Sequence, residues 1–407
     1  MPLPIPVVEL GFDLTEALNP PYFTLDSAEK GRLDNTEYPL GGEAFVDVTN
    51  RVRSIDFGRG RAQTFSTFPA GNIEIDLNNH DRAFDPLFDG SPYRGNIVPQ
   101  RQVRVKVNDI VVFTGFIDDW DLSYTNDGNS TAVIKASEGI ANLNRRFIEG
   151  FTPPEETSSA RIERILDRAE VNWPASLRDI DTNGQLMGAN PIEDETSVVE
   201  YLQNIALSDP GEFFMSRDGK LVFQGRNYPP SGDDLITFGS ADIPFDNLRV
   251  MYGSELLFNS VRLTRQGGGT VVANDLESQA EYGISEFSVE EMQLASDDQM
   301  VDVAVQYVSQ FSEPEYRFEA FDVYLHKLDK PTQDVLLAAD LGSVVLVKFT
   351  PNGIGDEIVR YGKIIRIDQV VTPDTHTVTF GLTELFYAPL VLDDDVFGRL
   401  DFGRLSW

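Results

Sequence analysis

Hydrophobic and polar residues alternate along the first 148 residues with the period of two that marks a half-buried strand. The runs are FVDVTNRVRSIDF (45–57), NIEIDL (72–77), VRVKVNDIVVFTGFIDDWDLSY (103–124) and STAVIKAS (130–137). Asn108-Asp109 and the NDGN run at 126–129 separate neighbouring strands with hairpin-turn residues, which predicts antiparallel pairing.

The period then changes. SSARIERILDRAEV (158–171) puts Ile162, Ile165, Leu166 and Ala169 on one helical face, with Ser158 or Ser159 as the cap. TSVVEYLQNIALS (196–208) does the same with Val199, Leu202, Ile205 and Ala206 after Thr196, and Pro210-Gly211 ends it. EFFMSRDGKLVFQGR (212–226) reads as a hairpin turning at Asp218-Gly219. Residues 149–236 are thus expected to form a small α+β helix-hairpin domain.

Alternation returns over 237–388, broken by a capped helix at 296–311 with Val301, Ala304, Val305 and Val308 turned inward. The strand runs there carry the turn spacing of a small barrel or sandwich. The expected plan is a β domain at 1–148 with an N-terminal arm over about 1–40, the helix-hairpin domain, a second β region at 237–388, and a C-terminal arm at 389–407. FTLDSAEKGRLD (23–34) and LVLDDDVFGRLD (390–401) share Leu, Asp, Gly, Arg, Leu and Asp in register. They read as similar extended hooks suited to adding onto a sheet edge, the alternative being two exposed turns.

Composition narrows the function classes. The 407 residues carry 66 acidic and 33 basic side chains, a formal charge of −33. Nucleic-acid affinity comes largely from Lys and Arg on phosphates, so broad binding of DNA or RNA is disfavoured. Cysteine is absent, which excludes disulfides, thiolate metal sites and a cysteine nucleophile. The N-terminus has no basic segment before its apolar run, so no secretory signal is expected. No apolar run approaches the ~18–20 residues of a membrane span.

Candidate chemistry concentrates at GNIEIDLNNHDRAFDP (71–86), where Asp76, Asn78, Asn79, His80, Asp81 and Asp85 crowd together. A calcium loop needs several oxygens wrapped round the ion and usually a glycine at the bend, and this stretch has none after Gly71. Asx residues also cap their own turns, so a strand, a turn and a re-entry at Phe84 and Pro86 is the favoured reading. DTNG (181–184) and DSAEKG (26–31) are poorer cation candidates. His80, His326 and His376 are the three histidines, none near another in sequence, and the last two read as strand residues. FIDDWD (116–121) and LDDDVFG (392–398) offer carboxylate pairs, but in so acidic a chain they read as solvated edges. No catalytic, cofactor-binding or metal residue is assigned, and no cofactor is expected.

Set among its flanks, the same stretch resembles a known family. GRAQTFSTFPAGNIEIDLNNHDRAFDP (60–86) followed by SPYRGNIVPQRQVRV (91–105) is similar to the N-terminal signature of minor tail proteins of long-tailed phages, especially those of actinobacteria. The matching residues are Gly60-Arg61, Ala70-Gly71, Asn78 to Asp81, Phe84-Asp85-Pro86, Ser91-Pro92-Tyr93, Asn96-Ile97 and Pro99. TGFIDDWDLSY, the helix-hairpin unit and NSVRLTRQGGGTVVANDLESQAEYG continue the likeness over roughly residues 40–390.

The resemblance implies a mainly β baseplate hub: two tube-like β-barrel domains with an α+β insert, assembled as a homotrimer that presents a pseudo-sixfold ring. It implies a place at the tail tip of the virion, between the tail tube with its distal tail protein and a threefold tip. The tape-measure protein and other tail-tip or receptor-binding proteins are the further partners it implies. DNA would pass through without specific binding, and an acidic lumen is expected, since acidic walls repel phosphate. With about twenty residues after the last strand, no appended enzyme is expected. A cell-wall-degrading enzyme and a carbohydrate-binding module are the competing readings. Of the tryptophans, Trp120 is expected in the core and Trp407 docked at an interface or mobile, with Trp173 the remaining candidate for a sugar groove.

Overall fold

The computed structural model describes residues 3–12, 30–32, 44–226, 228, 235–385, 388–389 and 403–404. The paired GRLD segments, apart from Lys30, Gly31 and Arg32, lie outside these residues, as does Trp407.

Seven strands form the first β region: β1 (Pro6–Phe12), β2 (Ala44–Asp47), β3 (Val52–Gly60), β4 (Asn72–Asn78), β5 (Gln102–Val107), β6 (Ile110–Ser123) and β7 (Thr131–Ser137). The alternation seen in the sequence is kept: Ile73, Ile75 and Leu77 are buried while Asn72 and Glu74 are exposed. Asn108 and Asp109 turn the β5–β6 hairpin with φ of 52° and 69°, the left-handed pair that suits the twist of the strands.

The chain then forms α1 (Ser158–Asp167), α2 (Val198–Ser208) and the hairpin β8 (Glu212–Met215) and β9 (Leu221–Gln224). Their apolar faces close a separate core around Ile162, Leu166, Leu202, Ile205 and Phe223. Thr157, one residue before the expected serines, caps α1, and Ser197 caps α2. α1 ends at Asp167, which leaves Ala169 exposed and outside the helix. Arg161 on α1 is fully buried and satisfied by Glu156, Tyr201, the Pro154 carbonyl and the Gly188 carbonyl at 2.8–2.9 Å.

The remainder is β10 (Ile236–Phe238), β11 (Asp246–Met251), β12 (Ser260–Arg265), β13 (Thr270–Asn274), β14 (Glu286–Met292), α3 (Asp297–Phe311), β15 (Arg317–Tyr324), α4 (Lys330–Ala338), β16 (Val344–Phe349), β17 (Ile358–Val371) and β18 (His376–Glu384). Strands β12 to β14 make a three-stranded sheet that packs on α3 with its own apolar cluster. The buried face of α3 differs from the sequence expectation. Met300, Val303, Ala304, Val308 and Phe311 are inside, whereas Val301 and Val305 are 43% and 55% exposed. Valine occurs on several sides of this helix, and the flanking Met300 and Phe311 decide which side is covered.

The other strands merge into one 13-stranded sheet. Within it, one plan occurs twice. The order β3-β4-β7-β6-β5 of the first region is repeated as β11-β15-β18-β17-β16 in the second. The likeness reaches single residues. β6 and β17 are each 14 residues long, and each breaks register just after an isoleucine, Ile117 in one and Ile364 in the other. Ile117 exchanges backbone bonds with Arg101 and Gln100, and Ile364 does the same with Ser343 and Gly342. Gln100 and Gly342 both have positive φ, 65° and 85°.

The two halves meet where β3 pairs with β17, antiparallel, from Ile55 opposite Val371 to Gly60 opposite Arg366. Each half curls as a barrel-like unit, and their interiors join in one continuous hydrophobic core. Phe65, on the loop after β3, inserts among Phe258, Phe287, Tyr307 and Phe311 at ring distances of 4.6–5.6 Å and ties the α3 unit to the sheet.

Candidate functional site: an acidic sheet face over a buried anchor

The ligand-dense stretch at 71–86 is a turn most of whose polar groups bond to the chain itself, Asp76 Oδ1 and Asn79 Nδ2 being buried without a partner. Asn79 is fully buried and its Oδ1 accepts the Phe84 N–H at 2.9 Å. Asn78 Oδ1 accepts the His80 N–H, and Asp85 Oδ1 accepts that of Leu87. Asp81 forms a two-pronged pair with Arg51 at 2.8 Å, and Asp85 pairs with Arg82. The Arg51 fork holds the Asp81 carboxyl down to about 2. Phe84 is buried and stacks on Tyr93 and on half-buried Trp120, whose indole N–H donates to the Val98 carbonyl. The turn therefore covers the end of the first apolar core.

The other candidates do not converge. Asp181 accepts from Asn183 and Gly225 and closes its own loop. His376 is buried, bonded through Nε2 to Gln369, and burial lowers its pKa to about 4. Its backbone N–H donates to Nδ1 of His326, so these two histidines, 50 residues apart, meet at the start of β18. Trp173 is buried with its N–H on the Leu177 carbonyl, which leaves no flat ring for a sugar. LDDDVFG lies outside the described residues, and DSAEKG does too except for Lys30 and Gly31. Among the described residues no group of three or more His, Asp or Glu is arranged to hold a metal, and no helix is long and apolar enough to cross a membrane.

What the fold does gather is charge on the outer face of the sheet. Side chains opposite one another across paired strands share a face. Asp56 faces Glu74, Glu74 faces Lys135, and Lys135 faces Asp119. One pair further along, Asp76 and Asp121 flank Val133. In the second half Asp368 and Asp322 flank Thr379. The basic residues on this face, Arg104 and Lys106 of β5 among them, pair with its carboxylates, these two with Glu9 at 2.6 and 2.9 Å. Lys135 pairs with Asp121 at 2.7 Å and Arg366 with Asp368 at 3.0 Å. Crowding shows at Asp368: burial raises its pKa, Arg366 opposes this, Asp56 adds to it, and Arg249 opposes it again.

Beneath this face lies a buried ionic anchor. Arg59, at the end of β3, points inward and is 3% exposed. It donates to Glu138 at 2.6 Å, Asp340 at 2.8 Å and the Met215 carbonyl at 2.6 Å. Glu138 also accepts the Gly71 N–H, and Asp340 accepts that of Arg217. One guanidinium thus joins the first β region, the helix-hairpin unit and the second β region. Burial opposes its charge, but Asp340 and Glu138 outweigh burial and raise its pKa. The glycines beside it permit close approach. A Cβ on Gly60, whose φ is 99°, would sit 2.1 Å from the Ile365 carbonyl oxygen. Sequence reading did not find this anchor; the Gly58-Arg59-Gly60 triplet in a strand was its only local signal.

A cavity of about 390 Å³ opens beside the anchor, lined in part by Arg61, Glu212, Arg226, Tyr307, Lys363 and Glu384. Its charges pair with each other: Glu212 reaches both Arg61 and Lys363 at 3.0–3.2 Å. Glu384 is the exception in balance. Burial and then Glu315 push its carboxyl up to about 7, against Arg317 and Arg360. The Glu212 pairs join the loop after β3, the helix-hairpin unit and β17, so the cavity lies at a joint between units.

No family model matches the chain, and no curated protein matches it. Solved structures share its fold. A tail protein from Neisseria meningitidis MC58 superposes with a TM-score of 0.59 at 15% identity, over 84% of this chain and 94% of that one. The 43 kDa tail protein of prophage MuSo2 from Shewanella oneidensis gives a TM-score of 0.56 at 13% identity, over 84% of this chain and 96% of that one. The chain therefore has the mainly β fold of these two tail proteins.

Proposed function

We propose that the chain is a structural component of a phage tail tip: a hub that adapts the sixfold tail tube and its distal ring to a threefold tip and lines part of the DNA channel. One observation carries this reading. The chain contains the same five-strand unit twice, fused edge to edge, with an acidic outer face running across both copies. Three such chains would present six near-equivalent units, which is how a threefold object meets a sixfold one. The tail-protein fold and the motif string shared with minor tail proteins of actinobacterial phages support the same assignment.

The face that carries Asp56, Glu74, Asp76, Asp119 and Asp121 is the one turned to the channel in this reading. Excess negative charge repels the phosphate backbone, so DNA slides past without being held. Partners are further copies of the chain, the tail tube with its distal protein, the tape-measure protein, and the tip proteins that contact the host. The cavity at the joint between units and the turn at 71–86, bonded mostly to its own chain, favour a scaffold over an enzyme.

Immunogold labelling of intact virions with antibody raised to the purified chain tests this assignment. Label confined to the tail tip is expected; label along the shaft or on the head overturns it. Clearing of host cell walls in a zymogram would also overturn it, in favour of a wall-degrading enzyme.

A further inference from the structure

The cavity of about 390 Å³ beside the anchor stands apart from the rest of the chain in its charge. The sequence carries a formal charge of −33, yet Arg61, Lys363 and Arg226 all reach this one space. Arg61 and Lys363 share a single carboxylate, that of Glu212. Arg226, half-buried just after β9, is left over. Its backbone N–H donates to Asp209 at 3.2 Å, but its guanidinium has no hydrogen bond or ion pair among the described residues. Asp209 is fully buried, also accepts from Ser158 and Gln185, and is not part of the lining. The other carboxylate of the lining, Glu384, sits at about 7 and so carries only part of a charge near neutral pH.

The lining also holds polar atoms with no partner among the described residues. Arg61 Nε, Gln224 Oε1 and Gln306 Oε1 are buried without a hydrogen bond. Buried polar atoms left unbonded are costly, and in folded proteins they are matched by water or a ligand. The two kinds of atom ask for different partners. The guanidinium donors of Arg61 and Arg226 call for an anionic oxygen, and the amide oxygens call for hydroxyl donors. Phe65, Tyr307 and Tyr228 add aromatic surface that the C–H face of a ring can cover. The volume lies at the small end of ligand-sized pockets, enough for one ring and its substituents.

We propose that this cavity binds a small acidic sugar, a single hydroxylated ring bearing one carboxylate or phosphate. The anionic group lies against Arg226 and Arg61, and hydroxyls donate to Gln224 on β9 and Gln306 on α3. These side chains come from the loop after β3, the helix-hairpin unit and the α3 unit, so the bound ring bridges the units that meet at the joint. A ligand that binds only the folded chain stabilises it by mass action. The inference does not rest on the hub reading and needs no assembly.

Isothermal titration of the full chain with glucuronate, glucose 6-phosphate, glucose and inorganic phosphate tests it. Glucuronate or glucose 6-phosphate is expected to bind with one site per chain, and the tighter of the two identifies the anionic group as carboxylate or phosphate. Glucose lacks the charge and inorganic phosphate lacks the ring, so each is expected to bind about tenfold more weakly or worse. Arg226→Gln should weaken the acidic sugar about tenfold, and Gln306→Leu by a smaller factor, about threefold. Melting of the unliganded variants close to the parent shows that the fold is kept; if Arg226→Gln melts early, Gln306→Leu decides. Binding of none of the probes overturns the proposal, and so does glucose binding as tightly as its acidic forms. Inorganic phosphate binding as tightly as the acidic sugars means an adventitious ion only, which also overturns it. Unchanged binding in a folded variant places the ligand elsewhere and removes the site.

Discussion

The internal seam contrasts with two sheet edges that have no further strand neighbour among the described residues, β11 and the Asp119–Ser123 stretch of β6. At the seam, Arg59 on β3 ties Glu138, Asp340 and the Met215 carbonyl together on the core side, and Gly58 and Gly60 let β17 approach closely. A Cβ on Gly58 would lie 2.7 Å from Asp368, and one on Gly60 would meet backbone. At the open edge, β11 reads Asp246-Asn247-Leu248-Arg249-Val250-Met251, without glycine and without a buried ion. The difference separates a joint closed within the chain around a buried guanidinium from edges on which Arg249, Asp119, Asp121, Leu87, Tyr124 and Tyr252 are exposed.

Breaking the seam should cost the most. Arg59→Met leaves Glu138 buried without its cation, and loss of about 4 kcal/mol is expected in denaturant unfolding. A shift under about 1 kcal/mol would mean that the anchor does not hold the units together. Gly60→Val puts a branched Cβ at positive φ against the Ile365 carbonyl, and about 3 kcal/mol is expected from strain and overpacking. Normal stability in this variant would show that β3 can leave β17 without harm to the fold.

A pH experiment probes the joint beside the seam. The Glu384 carboxyl sits at about 7 in the folded chain, above its ordinary value of 4.5. A carboxyl raised by folding contributes stability that is fully present below its unfolded pKa and lost as pH rises through the folded one. Glu384→Gln removes that dependence. Its melting temperature relative to the parent is expected to be higher at pH 8 than at pH 5; an equal offset at both would show that the carboxyl is not buried as described.

The smallest effect on folding is expected at the open edge. Arg249→Glu changes an exposed side chain and should alter monomer stability by less than about 0.5 kcal/mol. If copies in the hub reading join with β11 beside β6 of the next, the change places a third carboxylate against Asp119 and Asp121 there, so association measured by light scattering should weaken and depend less favourably on low salt. Association unchanged by this reversal would contradict the proposed contact.

Much of the fold was legible because local chemistry and global structure agree. Asn108-Asp109 and Asp218-Gly219 turn the hairpins where they were expected, and Ile73, Ile75 and Leu77 point to the core. The turn at 71–86 was readable for the same reason: Asn78, Asn79 and Asp81 satisfy backbone groups within a few residues. Position within a helix surface was less legible. Val301 and Val305 carry the right period, yet the buried side is set by Met300, Val303 and Phe311, which meet distant partners. The anchor was not legible at all. Arg59 finds Glu138 and Asp340 across 79 and 281 residues, and no short window of sequence contains that geometry. The repeat was hidden too, because it is kept in strand order, a bulge and two positive-φ residues instead of in side-chain identity.

The central claim is that copies of this chain close a ring with the acidic sheet face turned to its bore. Electron cryomicroscopy of the purified protein, averaged without imposed symmetry, tests it most directly. The account predicts a threefold ring in which Asp56, Glu74, Asp119 and Asp121 line the channel and β11 of each copy lies beside β6 of the next. A ring with this face on its outside, or an assembly in which β6 and β11 both remain uncovered, would contradict it.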